Sequence, residues 1–251
     1  GSPAVASRPS AQARLFGGRP ITLPSLAGTR RVPIQTSQTI KTSRFFWAAT
    51  AVLAAGLALD AQTAQRPLSP PGTAATQVGG QWVKGERGER YQDGKWIEVT
   101  YNRPLLRTRT GIFGSGEDYG KKVNGNAPVW RVGANQSTRF KTEVALKFGD
   151  KTLPAGEYSM FVDLKPGAWT LIFSTWDAQQ KYDPNDKTAL WGAYNYTPDK
   201  DVLRAPMTVS SIPLSIDQLT IGFTDVTTNG GTLAIWWDTT QATIPFTVAG
   251  S

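Results

Sequence analysis

The sequence predicts an all-β protein, a single antiparallel β-sandwich or jelly-roll-like domain preceded by a signal peptide. Three observations lead to this fold class. Apolar and polar residues alternate over many short stretches, turn-forming residues separate those stretches, and no stretch after residue 65 sustains a helical period. Many short strands of this kind are typical of sandwiches and jelly rolls, whereas a parallel α/β sheet alternates strands with helices.

A leader precedes the predicted domain. Residues 41–44 are basic, residues 45–59 are apolar and uncharged, and small residues follow at Ala61 and Ala64. This order is typical of a secretory signal peptide, which we assign to residues 41–64. As a helix the apolar stretch spans only about 22 Å, so we expect no membrane span after signal cleavage; an uncleaved anchor is the alternative. Residues 1–40, rich in Arg, Pro, Ser and Ala, are expected to be a disordered or spurious extension.

The strands follow in order along the rest of the chain. Residues 65–80, rich in Pro, Gly, Ala and Thr, form either a linker or an edge strand, and residues 81–249 form the expected domain. Alternation marks half-buried strands. The alternating apolar residues are Ile97, Val99 and Tyr101; Phe140, Val144, Leu146 and Phe148; Tyr158, Met160, Val162 and Leu164; Trp169, Leu171 and Phe173; Leu219, Ile221 and Phe223; and Leu233, Ile235 and Trp237.

Turn-forming residues separate these runs. Pro166 and Gly167 predict a tight hairpin within residues 163–169, and residues 229–231 (NGG) predict another connection. The one place where we consider a short turn of helix is residues 215–219. Neighbouring residues of a strand point to opposite faces, so one of Trp236 and Trp237 should lie in the core.

Composition excludes several classes of function. The chain has no Cys, hence no disulfide and no thiolate site, and no His, which excludes Ser-His-Asp and Cys-His mechanisms and His-ligated metals. The net charge of +8 resides mostly in residues 1–64, which hold seven basic side chains and one acidic side chain, whereas residues 65–251 hold 20 basic and 18 acidic ones. That balance leaves no basic stripe to follow a phosphate backbone, so we expect no nucleic-acid partner. No residue pattern points to a cofactor.

Nine short strings of residues, taken in order, carry a family resemblance. They are residues 69–70 (SP), 77–79 (QVG), 99–104 (VTYNRP), 112–114 (IFG), 119–120 (YG), 129–135 (VWRVGAN), 153–159 (LPAGEYS), 191–194 (WGAY) and 201–204 (DVLR). Over residues 69–246 the chain resembles the uncharacterised bacterial family known as domain of unknown function 2911. The resemblance implies export, an all-β domain and no established activity, and it supplies no catalytic residues. Relative to the family pattern, this chain has additional residues at 82–95 and 176–188.

Loops between the predicted strands hold the candidate ligand-binding residues. A guanidinium suits carboxylates or sugar hydroxyls, a side-chain amide both donates and accepts hydrogen bonds, and an aromatic ring can stack on a sugar face. Six residues offer these groups: Arg103, Trp130, Arg131, Asn135, Trp191 and Tyr194. The alternative is structural, with either arginine paired with Glu117 or Asp118, Asn135 capping a turn, and the rings packed on the core.

Acidic residues suggest two further kinds of site. Asp177, Asp183 and Asp186 are a weak candidate for calcium binding, although their spacing is not that of an EF-hand and a solvated loop is the alternative. A pair of carboxylates would also suffice for a hydrolase. The possible members of such a pair are Glu117, Asp118, Asp163 and Asp238.

Three hypotheses for the function follow. The first is an exported, periplasmic or extracellular protein that binds a polar ligand, such as a glycan or another envelope component, without catalysis. The second is a structural or assembly subunit of an extracellular complex, because open strand edges and aromatic residues readily meet other subunits. The third is a carboxylate-dependent hydrolase. The sequence leaves the oligomeric state open.

Overall fold

Antiparallel strands make up most of the computed structural model, which describes residues 67–250. The predicted extension (1–40) and signal peptide (41–64) lie outside the described residues. The strands are β1 (Pro71–Val78), β2 (Gln81–Gly85), β3 (Gly88–Gln92), β4 (Lys95–Asn102), β5 (Thr138–Thr142), β6 (Leu146–Phe148), β7 (Lys151–Leu153), β8 (Gly156–Asp163), β9 (Thr170–Ser174), β10 (Asp177–Ala178), β11 (Ala189–Leu190), β12 (Asp201–Pro206), β13 (Thr208–Thr227) and β14 (Gly230–Val248). Helical structure comprises α1 (Lys121–Asn124) and two 3₁₀ turns, Gly116–Asp118 and Pro198–Lys200. No helix among residues 67–250 is long and apolar enough to cross a membrane.

Two antiparallel sheets form the framework. One has six strands in the order β1-β4-β5-β8-β9-β12, and the other has four in the order β13-β14-β6-β7. The hairpin β2–β3 forms a sheet of its own, and β10 pairs with β11 in parallel. The predicted all-β, sandwich-like fold is confirmed. Residues 71–78 form β1, an edge strand of the six-stranded sheet that pairs along its full length with β4.

The main core lies between the two large sheets. Phe148 of β6 contacts Phe173 of β9, with ring centroids 5.1 Å apart, and also contacts Phe246 of β14. Phe140 of β5 packs on Phe173 from the same side, at 4.6 Å. Because these rings come from both sheets, their burial holds the sheets together.

A second apolar cluster covers the opposite face of the six-stranded sheet. Phe161 of β8 and Ile172 of β9 point away from the main core and are fully buried beneath residues 127–129 and 190–196. Tyr196 lies on Phe161 with ring centroids 5.1 Å apart. The centre of this sheet is therefore buried on both faces, and the covering segment carries Trp191 and Tyr194.

Two details of the sequence prediction need correction. The run from Phe140 to Phe148 is divided between β5 and β6, which belong to different sheets, although its apolar side chains face the same core. No turn of helix occurs at residues 215–219, which belong to β13, where the register with β14 shifts on both sides of Ile216.

Two other expectations are confirmed. Trp237 is 4% exposed in the core, whereas Trp236 is only partly covered, so the two rings point to opposite faces. β8 and β9 pair as an antiparallel hairpin, in which Ala168 N donates to Lys165 O at 3.0 Å. Pro166 and Gly167, with a φ of +70° at the glycine, fill the central positions of this turn.

Candidate functional site

Five of the six predicted binding residues line a single cavity of about 320 Å³, which we call the Arg131 cavity. They are Trp130, Arg131, Asn135, Trp191 and Tyr194. The other lining residues are Pro104, Arg109, Ile112, Lys122, Val123, Gly125, Gly133, Ala134 and Trp237. Residues far apart in the sequence thus meet between the loop after β4, helix α1, residues 130–135 and the segment after β11.

The segment that carries Arg131 and Asn135 is anchored at both ends. Trp130 exchanges two main-chain hydrogen bonds with Val162 of β8, at 2.8 and 2.9 Å. Val132 is fully buried and its carbonyl accepts a hydrogen bond from Thr138 Oγ1 at 3.1 Å. Val132 and Asn135 have φ angles of +51° and +59°, and such a conformation is strained for a β-branched residue such as valine. Packing around Val132 sustains this strain, which holds the turn in one shape.

Arg131 is held by neutral partners. Its Nη1 donates to the main-chain oxygen of Asn135 at 2.7 Å, and its Cζ lies 5.1 Å from the centre of the Tyr194 ring. The guanidinium also lies against Gly192, where a Cβ atom would overlap Nη1. Gly192 has a φ of +66°, so both its conformation and the space beside it favour glycine.

The expected structural ion pair of Arg103 or Arg131 with Glu117 or Asp118 is wrong. Asp118 pairs with Lys121 at 3.0 Å, and within the described residues no acidic side chain forms a salt bridge with Arg103 or Arg131. Arg131 is a half-buried residue, and no acidic side chain of residues 67–250 pairs with its guanidinium.

The accessible aromatic rings of the site belong to the covering segment. Tyr194 is 40% exposed and Trp191 is half-buried, with Tyr182 packed on Trp191 at a centroid distance of 5.9 Å. The main chain on either side of Trp191 is fixed by a hydroxyl group. Ser137 Oγ, directly before β5, donates to the carbonyls of Leu190 and Gly192.

Trp130 lies in the core instead of offering a ring face to a sugar. It is fully buried, stacks on Trp237 with an interplanar angle of 6°, and meets Phe113 and Trp169 edge-on. The stacking role expected for Trp130 is therefore wrong in this structure. Its contribution is to form the base of the cavity, while Trp191 and Tyr194 provide the rings that a ligand can reach.

Arg103 does not belong to the cavity. Its side chain lies across Gly72 of β1, so closely that a Cβ atom there would come within 2.6 Å of Arg103 Cδ. Its main-chain N donates to Pro70 O at 2.9 Å, and its Nε is buried without an acceptor among the described residues. The end of β4 is thus covered by the edge strand, which removes Arg103 from the site.

Two cations of the cavity were not predicted. Arg109 lies over Trp237, with Cζ 5.9 Å from the ring, and Lys122 lies on α1. Neither is set apart by its local sequence, since other basic residues stand close by at Arg107 and Lys121. With Arg131 they give the cavity three positive groups, and among residues 67–250 no Asp or Glu lines it.

A second cavity, of about 520 Å³, adjoins the first across Trp191 and Tyr194, which line both. It is formed by the loop between β10 and β11 and includes Tyr182, Asp183 and Lys187. The two rings therefore form a wall shared by neighbouring cavities.

The calcium candidate is not supported. No group of three or more acidic, His or Cys side chains that could hold a metal ion occurs in residues 67–250. Asp183 accepts from Asn185 N at 2.8 Å, and Asp186 accepts from Thr188 N and Oγ1 at 2.8 and 2.7 Å. The hydrogen bonds from Thr188 lower the pKa of Asp186, so these carboxylates stabilise their own loop.

Three of the four acids considered for hydrolysis have structural partners: Asp118, which pairs with Lys121, and Asp163 and Asp238. Asp163 pairs with Arg204 at 3.0 Å, and Asp238 accepts from Gly111 N and Ser215 Oγ at 2.9 and 3.0 Å. The guanidinium of Arg204 also binds Asp201 at 2.9 Å, and Asp201 accepts from the Tyr196 hydroxyl at 2.6 Å. Burial and the neighbouring Asp201 carboxylate raise the pKa of Tyr196 well above its ordinary value.

Comparison with known proteins gives a family but no activity. The model of a family described as protein of unknown function (DUF2911) matches residues 86–246. No curated protein and no solved structure matches the chain.

Proposed function

The chain belongs to the DUF2911 family of proteins of unknown function, and from this premise we propose that it is an exported, non-catalytic protein that binds a carbohydrate in the Arg131 cavity. One observation carries the proposal. A half-buried guanidinium, an exposed amide residue and two accessible aromatic rings line one concave site: Arg131, Asn135, Trp191 and Tyr194. Its volume of about 320 Å³ lies at the lower end of the range typical of small-molecule sites.

The groups in the cavity match what a sugar requires. Hydroxyl groups need donors and acceptors in fixed positions, which the Arg131 guanidinium and the Asn135 amide supply. The apolar face of a sugar ring needs an aromatic surface, for which Trp191 and Tyr194 are placed at the cavity wall. The strained turn at Val132 supports this assignment because strain retained in a loop commonly serves a binding site.

The export part of the proposal rests on residues 41–64 alone, with their basic start, apolar centre and small residues. A periplasmic or extracellular protein would meet envelope glycans. Fractionation of cells that express the whole chain is expected to find it outside the cytoplasm. Retention of all the protein in the cytoplasm would contradict this part of the proposal.

Binding is tested on an array that holds neutral, uronic, sulfated and phosphorylated glycans. The protein is expected to retain a subset of them, and Arg131→Ala should lose about tenfold or more in affinity for that subset. Arg87→Ala, in the exposed turn between β2 and β3, is the matched control and should bind as the unmodified protein does. Unchanged binding by Arg131→Ala would exclude this cavity, and no retained glycan would contradict the function.

Assembly with other subunits is a second candidate, favoured by the hairpin β2–β3. This hairpin pairs with no other strand, and Trp82 on it is 64% exposed. If the hairpin is an interface, Trp82→Ser should lower the mass measured by light scattering, whereas Leu214→Ser, at a 68% exposed position on β13, should not. A protein that is monomeric at all concentrations would exclude self-assembly through the hairpin.

A carboxylate-dependent hydrolase receives no support from this cavity. None of its lining residues is acidic, and retaining or inverting hydrolysis requires two carboxyl groups beside the scissile bond. The non-catalytic function is therefore the one that the site supports best.

A further inference from the structure

The charges around the Arg131 cavity indicate what kind of carbohydrate it takes. Arg109, Lys122 and Arg131 line the cavity together, and no Asp or Glu of the described residues lines it. The chain from residue 65 onward is almost balanced as a whole, with 20 basic and 18 acidic side chains, these three cations included. A concave site with three cations is therefore a local feature and does not follow from a generally basic surface.

None of these three cations forms a salt bridge with an acidic side chain in the part of the chain that the structure describes. The salt bridges of residues 67–250 engage Lys121, Arg139 and Arg204 with acids, and none engages the three cations of the cavity. The neighbours Lys121 and Lys122 differ in this respect. Lys121 pairs with Asp118, whereas Lys122 lines the cavity and has no acidic partner among the described residues.

The hydrogen-bond partners of the two arginines are neutral as well. Arg109 donates from Nε to Leu106 O at 3.2 Å and from Nη2 to Leu105 O, and Arg131 donates to Asn135 O. These bonds fix the guanidinium groups in position but leave their positive charge uncompensated. Like charges that line one concave surface repel each other, and Arg131 is the half-buried member of the three, whereas Arg109 and Lys122 are exposed.

We propose that the carbohydrate bound in the Arg131 cavity is acidic, with a carboxylate, sulfate or phosphate group that Arg109, Lys122 and Arg131 neutralise. This inference rests on the proposed function and adds the chemical class of its ligand. An arginine fork binds such an oxyanion through paired N–H groups, and the Tyr194 ring beside Arg131 holds the guanidinium in place. Trp191 remains available for the sugar ring that carries the acid.

The decisive comparison uses probes that share one sugar backbone and differ in charge, with only a methyl group added where each carboxylate is neutralised. Calorimetric titration compares trigalacturonic acid with its methyl ester, with sulfated and phosphorylated trisaccharides and inorganic phosphate as further arms. At least one of the acidic saccharides is expected to bind about tenfold or more tightly than its uncharged counterpart. Raising NaCl to roughly 0.5 M should reduce that difference, since salt screens partly exposed charges.

Variants test whether the cavity causes the difference in affinity between acidic and uncharged saccharides. Lys122→Gln removes one cation. It should lower the affinity for the acidic saccharide several-fold more than the affinity for the uncharged one. Lys165→Gln, in the exposed turn between β8 and β9 and outside the cavity, is the matched control and should change neither.

The outcomes separate this inference from the proposed function. Equal affinity for acidic and uncharged saccharides would overturn the inference and leave carbohydrate binding in place. Inorganic phosphate bound as tightly as any sugar acid would overturn both, because the sugar ring would then contribute nothing. The absence of binding to every arm, neutral and acidic, would likewise overturn both.

Discussion

Gly192 is the residue on which the position of the Arg131 guanidinium most directly depends. A methyl group at residue 192 would overlap Arg131 Nη1, and the φ of +66° is unfavourable for any residue with a Cβ atom. Gly192→Ala should therefore displace Arg131 from Asn135 and Tyr194. We expect a loss of about 2 kcal/mol in the free energy of unfolding and weaker glycan binding, measured by urea denaturation and by titration.

Gly149 offers a control with almost the same backbone. Its φ is +65°, yet no atom lies within 4 Å of the position that a Cβ would take. Gly149→Ala should cost about 1 kcal/mol through backbone strain alone and should leave glycan binding unchanged. If the two variants lost equal stability and bound glycans equally, Gly192 would have no role in positioning Arg131.

Tyr196 is expected to make stability depend on pH in alkaline solution. Its pKa is raised chiefly by burial and by Asp201, so the folded protein resists ionisation that the unfolded chain permits. The resulting stabilisation is complete below about pH 10 and is lost progressively as the pH rises above that value. Urea unfolding at about pH 8 and about pH 11 should show a smaller fall in stability for Tyr196→Phe than for the unmodified protein.

A second tyrosine and a control refine this expectation. Burial also raises the pKa of Tyr158, so the alkaline fall should be reduced in Tyr196→Phe and not abolished. Tyr182→Phe, at a ring that is 59% exposed, should behave as the unmodified protein does. If all three proteins lost the same stability between the two pH values, Tyr196 would make no contribution to the pH dependence.

At the scale of elements, the hairpin β2–β3 should be less stable than the strand pairs of the six-stranded sheet. A two-stranded hairpin that joins no larger sheet is marginally stable in water. Its amide hydrogens should therefore exchange faster than those of β8, which lies between β5 and β9 in the six-stranded sheet. Hydrogen exchange read by mass spectrometry makes the comparison. Equal protection of hairpin and β8 would indicate that another surface covers the hairpin.

Local alternation predicts a strand well but does not reveal what covers its second face. The pattern around Met160 and Val162 correctly indicates β8, and the same holds for Leu171 and Phe173 in β9. Phe161 is an apolar residue on the face of β8 that alternation assigns to solvent. Only the tertiary structure explains this position, because residues 190–196 return across the sheet and cover the Phe161 ring. The assignment of β5 and β6 to different sheets was likewise unpredictable. Their apolar side chains face the same core, so the alternation continues from one strand to the other.

The candidate site was predictable to the extent that its residues stand in distinctive strings. The WRVGAN and WGAY strings contain seven lining residues of the cavity, and they are conspicuous because they place glycines and aromatic residues in loops. Whether an arginine enters a cavity depends on packing between residues far apart in sequence, which explains why Arg103 was wrongly included and Arg109 was missed. Arg103 is covered by β1, and Arg109 reaches the site only because residues 104–109 pass beside Trp237.

At the scale of the whole molecule, the domain should fold without the leader. Every strand of the described residues lies between Pro71 and Val248, so a chain that begins at Gln65 retains the complete core. We expect its thermal midpoint to equal that of the whole chain within about 2 °C. A shorter chain that begins at Gly79 is the control, since it lacks β1 with its eight-residue pairing to β4 and the buried Val78. It should unfold many degrees lower, and a large loss already in the Gln65 chain would mean that the leader contributes to the fold.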